Sequence, residues 1–493
     1  MCRGHEIWRV KKENCPMLIQ YRRGAFATTV LSLVFICANS TSIGQTVETA
    51  DDLIADYASY AEVDFLRVNT GKVKTKKLGA KGWHVAIEVP TAKTFTRVTL
   101  TADGWDFMRL LPLRGGRGRL ARPGDSIEVV VPADGVGWFF LLNPFPEVSV
   151  REYRPNTLFK LANNTPRKAK YPVVDVHAHL RSVTAEGRVK VMDAVGVAIV
   201  IDSPLGIPTE LSYGRFQKKY PDRFLTFANV NFSERFEETF PANVIGKLRA
   251  DVNSMEVAGI SEVIDKGSGV YGHALMDEPR GKVHVDDDRM MAIWRAAARL
   301  KLPVLLHVGE PIWFYEPIDE NHEFLQWQSN SFRWNLSGTG VPSRDKMMER
   351  RAHIMDKVPE LVVIGAHMGH LEDDLARLGE LLDKYPNFHV EMGVRHVYLG
   401  LQPNTARKFH IKYQDRILFG QDGALTVQQY RQYFRFLETD DDQITIRSNE
   451  PKIYGLNLPD DVLRKIYYGN AARLMPNVKE KLIKRYPDLE FPE

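Results

Sequence analysis

From residue 166 onward the chain alternates short apolar segments with longer amphipathic ones, and this alternation limits the fold more than any other feature. The apolar segments are nearly continuous runs of Val, Ile, Leu and Ala, as in strands that are buried on both faces of a parallel sheet. A doubly wound sheet would carry a glycine-rich turn after its first strand, and here that position holds His177-Ala178-His179. We therefore predict an α/β fold in which residues 166–493 form a (β/α)8 TIM barrel. The eight predicted strands are residues 173–178, 197–202, 224–231, 259–265, 303–308, 361–366, 388–392 and 416–420, with helices between them, for example at 286–300 and 371–385.

Histidine and aspartate recur at the ends of these strands. The recurring residues are His177 and His179 on the first strand, His307 on the fifth, His367 on the sixth and Asp422 after the eighth. Alternate residues of a strand share a face, and the carboxyl ends of barrel strands converge on one mouth, so these side chains can meet around one point. Three imidazoles and a carboxylate suit zinc, manganese or iron, and such an ion would make hydroxide available near neutral pH.

The N-terminal segment predicts export. Arg22 and Arg23 precede the apolar and small residues 24–38, which indicates a signal peptide over residues 1–44, with Met17 as an alternative start. The apolar run is well short of the ~20 residues that span a bilayer, so we expect no membrane association after cleavage and a periplasmic or secreted protein. All three cysteines lie in this segment. The mature chain would therefore have no thiolate ligand, and any metal would be held by nitrogen and oxygen.

Residues 45–165 have a different pattern, with short β-type runs separated by turn residues at a spacing typical of a β-sandwich. We predict a small all-β accessory domain here. Its basic runs, 72–77 and 114–119, fit a lysine-guarded strand edge and a glycine hairpin better than a nucleic-acid patch, and binding of an anionic polymer is left open. The net charge of +4 over 493 residues gives no argument for a nucleic-acid partner.

Four motifs in this order resemble the amidohydrolase superfamily. They are Asp175-Val-His-Ala-His179, Leu306-His-Val-Gly-Glu-Pro311, Ile364-Gly-Ala-His-Met-Gly-His370 and Leu418-Phe-Gly-Gln-Asp-Gly423. More narrowly, residues 170–475 are similar to the branch that includes aminocarboxymuconate semialdehyde decarboxylase and dicarboxylate lactonases. The eighth-strand motif departs from the family's Gly-Thr-Asp or Gly-Ser-Asp, which puts the surroundings of its carboxylate in doubt.

The resemblance implies that His177, His179, His307 and Asp422 bind one divalent ion, with zinc as the first choice. It also implies that His367 acts as an acid/base or substrate-polarising imidazole. The branch is mononuclear and no carboxylated lysine is evident on the fourth strand, so we expect no second metal.

Five further residues are candidates for substrate binding. Glu262 and Lys266 share one face of the fourth strand, where charges without partners are costly, and their alternative role is a salt bridge inside the barrel. Arg395 follows the seventh strand and could hold a substrate carboxylate, unless it lies on a solvated loop. Glu310 and Trp313 begin a long aromatic insertion after the fifth strand and are expected to line the mouth.

These observations predict an exported metal-dependent hydrolase that acts on a lactone, ester or amide. Asp422 would orient and deprotonate the water, and His367 would stabilise the developing oxyanion. His370 stands an odd number of positions after His367, so it is expected either to contact a site residue without touching the metal or to cap a helix. The alternatives are non-oxidative decarboxylation of a small unsaturated or aromatic acid, and a non-catalytic binding protein on a degenerate barrel. The expected partner is a small carboxylate-bearing molecule, and homo-oligomerisation is left open.

Overall fold

The structure is a computed structural model, and the chain divides into two compact units, Met1–Glu147 and Val148–Glu493. The predicted signal peptide and the glycine turn at 115–119 lie outside the described residues. The structure describes residues 57–64, 66–78, 82–89, 96–102, 108–114, 120–121, 127–131, 136–142, 158–270, 281–325, 335–446 and 451–492.

In the first unit the described residues pair only as antiparallel strands, in two sheets ordered β1-β4-β7 and β2-β3-β8-β5-β6. Val85 and Ile87 from the larger sheet share one buried core with Val98 and Leu100 from the smaller one. The lysine-rich β2 is an edge strand of its sheet, as a solvated edge requires. The strands are β1 (Leu66–Val68), β2 (Lys72–Leu78), β3 (Gly82–Glu88), β4 (Thr96–Ala102), β5 (Met108–Arg114), β6 (Leu120–Ala121), β7 (Ile127–Val131) and β8 (Val136–Leu142).

The second unit is built on eight parallel strands in sequence order, which confirms the predicted parallel α/β architecture. Strands β9 to β11 form one ladder and β12 to β16 another. A bridge between Ala228 and Ile260 joins the two ladders, and the Val176 N–H donates to the Phe419 carbonyl (3.0 Å) across the seam between the last and first strands. The strands are β9 (Val173–Ala178), β10 (Val197–Asp202), β11 (Phe224–Thr226), β12 (Ile260–Asp265), β13 (Val304–Val308), β14 (Val363–Gly365), β15 (Phe388–Glu391) and β16 (Ile417–Leu418).

Helices alternate with these strands and cover them through one apolar face. In α4, Met290, Ile293, Trp294 and Ala297 recur at helical spacing and are buried, while the Asp287 side chain caps the first turn. No helix among the described residues is long and apolar enough to cross a membrane. The helices are α1 (Ala185–Val195), α2 (Thr209–Arg215), α3 (Phe240–Met255), α4 (Asp288–Arg299), α5 (Arg344–Lys357), α6 (Leu375–Lys384), α7 (His396–Leu401), α8 (Pro403–Lys412), α9 (Val427–Glu438), α10 (Asp460–Arg464), α11 (Asn470–Leu474) and α12 (Val478–Arg485), with a π-helical turn at Lys465–Gly469 and single 3₁₀ turns at Tyr57–Ser59 and Ile312–Phe314.

Several predicted elements are shorter in the structure. The sixth strand, expected over 361–366, is Val363–Gly365, and the eighth, expected over 416–420, is Ile417–Leu418. The third strand was expected over 224–231. Its continuous part ends at Thr226, Ala228 adds one bridge to Ile260, and the Asn229 N–H donates to the Thr209 hydroxyl (2.9 Å) and not to a neighbouring strand. The helix expected over 371–385 begins only at Leu375, because a tight turn of unusual backbone conformation precedes it.

Candidate metal centre

The His-Ala-His motif at the end of β9 presents two imidazoles side by side, as strand periodicity predicts. The Nε2 atoms of His177 and His179 are 3.3 Å apart. The Nδ1 of His177 lies 3.1 Å from a Glu391 carboxylate oxygen, and the Nδ1 of His179 lies 2.8 Å from the Ser203 carbonyl. Both oxygens can only accept, so each Nδ1 carries a hydrogen, and once the ring is neutral its Nε2 lone pair faces the site. This is the tautomer that a metal ligand needs.

Asp422 approaches the same pair from the other side of the barrel seam. Its Oδ1 is 3.1 Å from the Nε2 of His179 and 3.6 Å from the Nε2 of His177. Its own N–H donates to the His177 carbonyl (2.7 Å), which fixes the aspartate on the seam. Burial opposes ionisation, but the hydrogen bond from His179 and the charge of His177 hold the pKa of Asp422 below its usual value. The carboxylate is therefore ionised, and 29% of its side chain is exposed towards the mouth.

Glu262, predicted as a substrate contact, lies in the same cluster as these three residues. Its Oε2 lies 3.3 Å from the Nε2 of His179 and 3.5 Å from that of His177. One ligand atom from each of His177, His179, Glu262 and Asp422 lies within 4.8 Å of the others. Burial raises the pKa of Glu262, but the charge and hydrogen bond of His177 and the other imidazoles lower it well below its usual value. Two nitrogen and two carboxylate donors suit a divalent cation.

His307, the fourth predicted ligand, lies on the opposite oxygen of Glu262. Its Nδ1–H donates to Oε1 of that carboxylate (2.7 Å), because β13 pairs directly with β12. A ring nitrogen of His307 lies within 4.8 Å of one from His367 and one from His370. The structure therefore divides the imidazoles into two groups, one on each side of the Glu262 carboxylate.

The second group depends on a left-handed turn at the end of β14. The four residues from His367 to His370 all have positive φ, at 59°, 56°, 61° and 56°. A tight turn of this kind places residues i and i+3 on one side, and the two imidazole ring centroids are 5.2 Å apart. Left-handed backbone costs roughly 1–2 kcal/mol for each L-residue other than glycine. Strain of this kind persists where the surrounding structure enforces it, and it marks candidate functional sites.

His367 is a buried neutral imidazole. Its Nδ1–H donates to the Gly393 carbonyl (2.9 Å), so its Nε2 lone pair faces the site, 3.9 Å from Asp422 Oδ2 and 3.7 Å from Glu262 Oε1. Burial, helped by the charge of Arg395, holds the pKa of His367 below its usual value. His367 can therefore accept a proton at Nε2.

Glu391 is a site residue that the sequence analysis missed. Its carboxylate is fully buried and accepts from the His177 Nδ1–H, from the His367 N–H (2.6 Å) and from the Gly393 N–H (2.6 Å). It thus orients one ligand and anchors the left-handed turn. The available signal was its position, since Glu391 ends β15 at the same mouth as the histidines.

Two candidate substrate contacts pair with each other. Lys266 and Glu310 form an ion pair, and the Glu310 Oε2 is 3.7 Å from the His307 Nε2. A salt bridge was the alternative for Lys266, but its partner is Glu310 and not Glu262. Trp313 is buried and stacks on Tyr398 with ring centroids 4.0 Å apart.

Arg395 is buried and does not lie on a solvated loop. Its Nε lies 2.6 Å from a carboxylate oxygen of Glu372, and its Nη2 lies 3.2 Å from the His370 Nδ1. Burial, and then the charges of His307 and Arg395, hold the pKa of His370 well below its usual value, so this imidazole is neutral.

The profile of the family described as Amidohydrolase matches residues 174–476, which is more than half of the 493 residues. No curated protein matches the sequence. Among solved structures, 2,6-dihydroxybenzoate decarboxylase from Rhizobium is similar at 19% identity, covering 62% of this chain and 98% of its own, with a TM-score of 0.39. An amidohydrolase from Staphylococcus aureus is similar at 17% identity, covering 62% of this chain and 99% of its own, with a TM-score of 0.41. A dihydroxybenzoic acid decarboxylase from Polaromonas, with bound manganese and 2-nitroresorcinol, is similar at 17% identity. The match covers 65% of this chain and 100% of that one, with a TM-score of 0.41.

Proposed function

The chain belongs to the amidohydrolase family, and on that premise we propose that it is a metal-dependent hydrolase of a carbonyl compound such as a lactone, ester or amide. The supporting observation is the convergence of His177, His179, Glu262 and Asp422 within 4.8 Å. These donors fit zinc or manganese, and zinc stays the first choice. When bound, a divalent ion supplies activation of water and polarisation of a carbonyl.

The ionised and partly exposed Asp422 suits the orientation of a water and the acceptance of its proton. His367 was expected to stabilise an oxyanion, which needs an N–H at Nε2. Because its Nε2 lone pair faces the site, we assign His367 a proton-accepting role in place of that one. Glu391 and the Ser203 carbonyl hold the His177 and His179 rings in orientation, so the donor set is arranged before any ligand enters.

Decarboxylation of a small acid is the second candidate, and the burial of the site favours it. His177, Glu262, His307 and His367 are all buried, so a substrate carboxylate placed among them would lose most of its hydration. Exclusion of water from a reacting anion is a recognised way to promote its breakdown. The same residues would then bind and orient the acid, and no water would be consumed.

Turnover in water enriched in ¹⁸O separates the two reactions. The full chain would be assayed with dihydrocoumarin, 4-nitrophenyl acetate and 2,6-dihydroxybenzoate, before and after removal of metal with a chelator. We expect ¹⁸O in the acid released from the lactone or ester, and loss of turnover on chelation. Release of carbon dioxide from the aromatic acid without uptake of ¹⁸O would replace the first candidate by the second. A protein that carries no metal after purification and gains no activity on adding zinc or manganese would overturn both.

A further inference from the structure

His370 differs from the other imidazoles of the site in the position of its hydrogen. The Nη2 of Arg395 lies 3.2 Å from the His370 Nδ1, and a guanidinium can only donate. The Nδ1 of His370 must therefore accept, and the hydrogen of this ring must lie on Nε2. The neighbouring imidazoles carry theirs on Nδ1, as described for His177, His179, His307 and His367.

Arg395 is itself held in place by a buried acid. Its Nε lies 2.6 Å from a carboxylate oxygen of Glu372, and both side chains are buried. Glu372 thus pairs with Arg395 by charge, and Arg395 in turn donates to His370. A buried guanidinium without this partner would carry an uncompensated charge, so the arrangement resists rearrangement.

The Nε2 of His370 is buried and has no hydrogen-bond partner among the described residues, and the same holds for the Nε2 of His307. The ring centroids of His307 and His370 are 4.5 Å apart. Buried polar atoms are nearly always satisfied, so the unpartnered N–H of His370 indicates a place that a ligand atom fills. With its hydrogen on Nε2, His370 has no lone pair at that atom to give to a metal ion.

We propose that His370 presents a permanent Nε2–H to the carbonyl oxygen of the substrate and stabilises the charge that develops there, with the Glu372–Arg395 pair acting as positioning residues that hold its tautomer. This inference rests on the proposed hydrolysis and gives His370 the role expected of His367. Acyl transfer needs a donor aimed at the oxyanion and an acceptor for the proton of water. The left-handed turn brings one of each together, because His367 accepts and His370 donates.

The tautomer is testable without turnover. In the full chain with ¹⁵N-labelled histidine, the His370 resonances, assigned by their loss in His370→Asn, should show a protonated Nε2 and an unprotonated Nδ1. The double variant Glu372→Gln with Arg395→Met removes the guanidinium without leaving a buried charge, and it should release the ring to the other tautomer. A wild-type His370 that carries its hydrogen on Nδ1 would overturn the proposal, whatever the fate of the proposed function.

Kinetics test the donor itself. His370→Gln keeps an amide N–H near the Nε2 position, whereas His370→Asn places its amide near Nδ1. We expect kcat on the lactone or ester to fall roughly 100-fold in His370→Asn, the loss typical of an oxyanion donor, with KM and metal content unchanged. His370→Gln should recover at least about tenfold of that loss, since the donor is restored. Equal kcat in both variants and the wild type, or loss of metal from His370→Asn, would show that the imidazole has another role.

Discussion

Two histidine pairs stand at the mouth of the barrel on different kinds of backbone, and three of their four imidazoles, His177, His179 and His367, lie within 3.7 Å of the Glu262 carboxylate. His177 and His179 stand two residues apart on a regular buried strand, whereas His367 and His370 stand three apart on a left-handed turn. The strand pair is relaxed, and both of its rings offer an Nε2 lone pair. The turn pair is strained, and its rings differ, one with a lone pair and one with an N–H. The regular strand thus places two like groups side by side, and the strained turn places two unlike groups side by side.

Removing a strand imidazole should have the largest effect. In His177→Asn we expect loss of the metal and of all measurable turnover. Removing only a hydrogen-bond partner of a metal ligand lowers metal affinity by about 10–100-fold, and removing the ligand itself should lower it further. Elemental analysis and the ester assay measure both quantities. The exposed His353→Asn is the matched control and should behave as wild type. Retention of metal in His177→Asn would mean that the strand pair is not the cation site.

The turn should respond to its middle residue more strongly than the strand does. Gly369 has a φ of 61°, and an added Cβ would lie 2.7 Å from the Nη1 of the buried Arg351. Gly369→Ala should therefore lower the free energy of unfolding by about 1–3 kcal/mol and turnover by up to about 100-fold. The counterpart on the strand, Ala178→Gly, should cost about 1 kcal/mol and leave the metal in place. Denaturant unfolding and kcat measure the contrast, and equal effects would contradict the view that only the turn is strained.

Glu391 links the two pairs, so its substitution should weaken both at once. Glu391→Gln keeps the shape of the side chain but removes the charge that holds the His177 ring. We expect metal affinity to fall by about 10–100-fold while the chain stays folded, as measured by competition with a chromophoric chelator. Glu438→Gln is the control, because the Glu438 carboxylate is partly buried and accepts a hydrogen bond from the Tyr467 hydroxyl outside the site. The metal affinity of this variant should not change. An unchanged affinity in Glu391→Gln would show that the ring is held by packing alone.

The smallest effect should be a pH dependence of the metal-free protein. Burial opposes protonation of His179, but hydrogen bonds to Asp422 and Glu262 raise its pKa to about 10 in the folded state. A pKa raised by folding contributes stability that is complete below the unfolded value of about 6.5 and is lost as pH rises towards 10. The melting temperature of the metal-free chain should therefore fall by a few degrees over this window. In the metal-loaded chain the proton is already displaced, so the slope should be absent. The same slope in both forms would contradict this origin.

The strand pair could be predicted from the sequence because its geometry follows from strand periodicity alone. The turn pair could not, since His367 and Met368 are L-residues whose local preference is against left-handed backbone, and only the surroundings enforce it. The barrel order and the mouth location of the histidines and Asp422 followed from the apolar alternation in the same way.

The partners of the charged residues were beyond the sequence. The sequence indicated that the Glu262 side chain points into the barrel. Which imidazoles it contacts depends on how β12 and β13 are placed against each other, and the sequence does not give this. Arg395 and Glu372 are separated by 23 positions, and their pairing is set by how two loops fold over the mouth. Glu391 was overlooked because the expected ligand set did not include a carboxylate on the seventh strand. The export signal and the role of the β domain stay predictions.

The contact between the first and last strands of the barrel limits when the site can form during synthesis and folding. His177 is synthesised early, and Asp422, whose N–H donates to the His177 carbonyl, is made more than two hundred residues later. A nascent chain therefore carries two adjacent imidazoles long before the matching carboxylate exists. The complete ligand set therefore arises only after the last strand has been made and has docked beside the first.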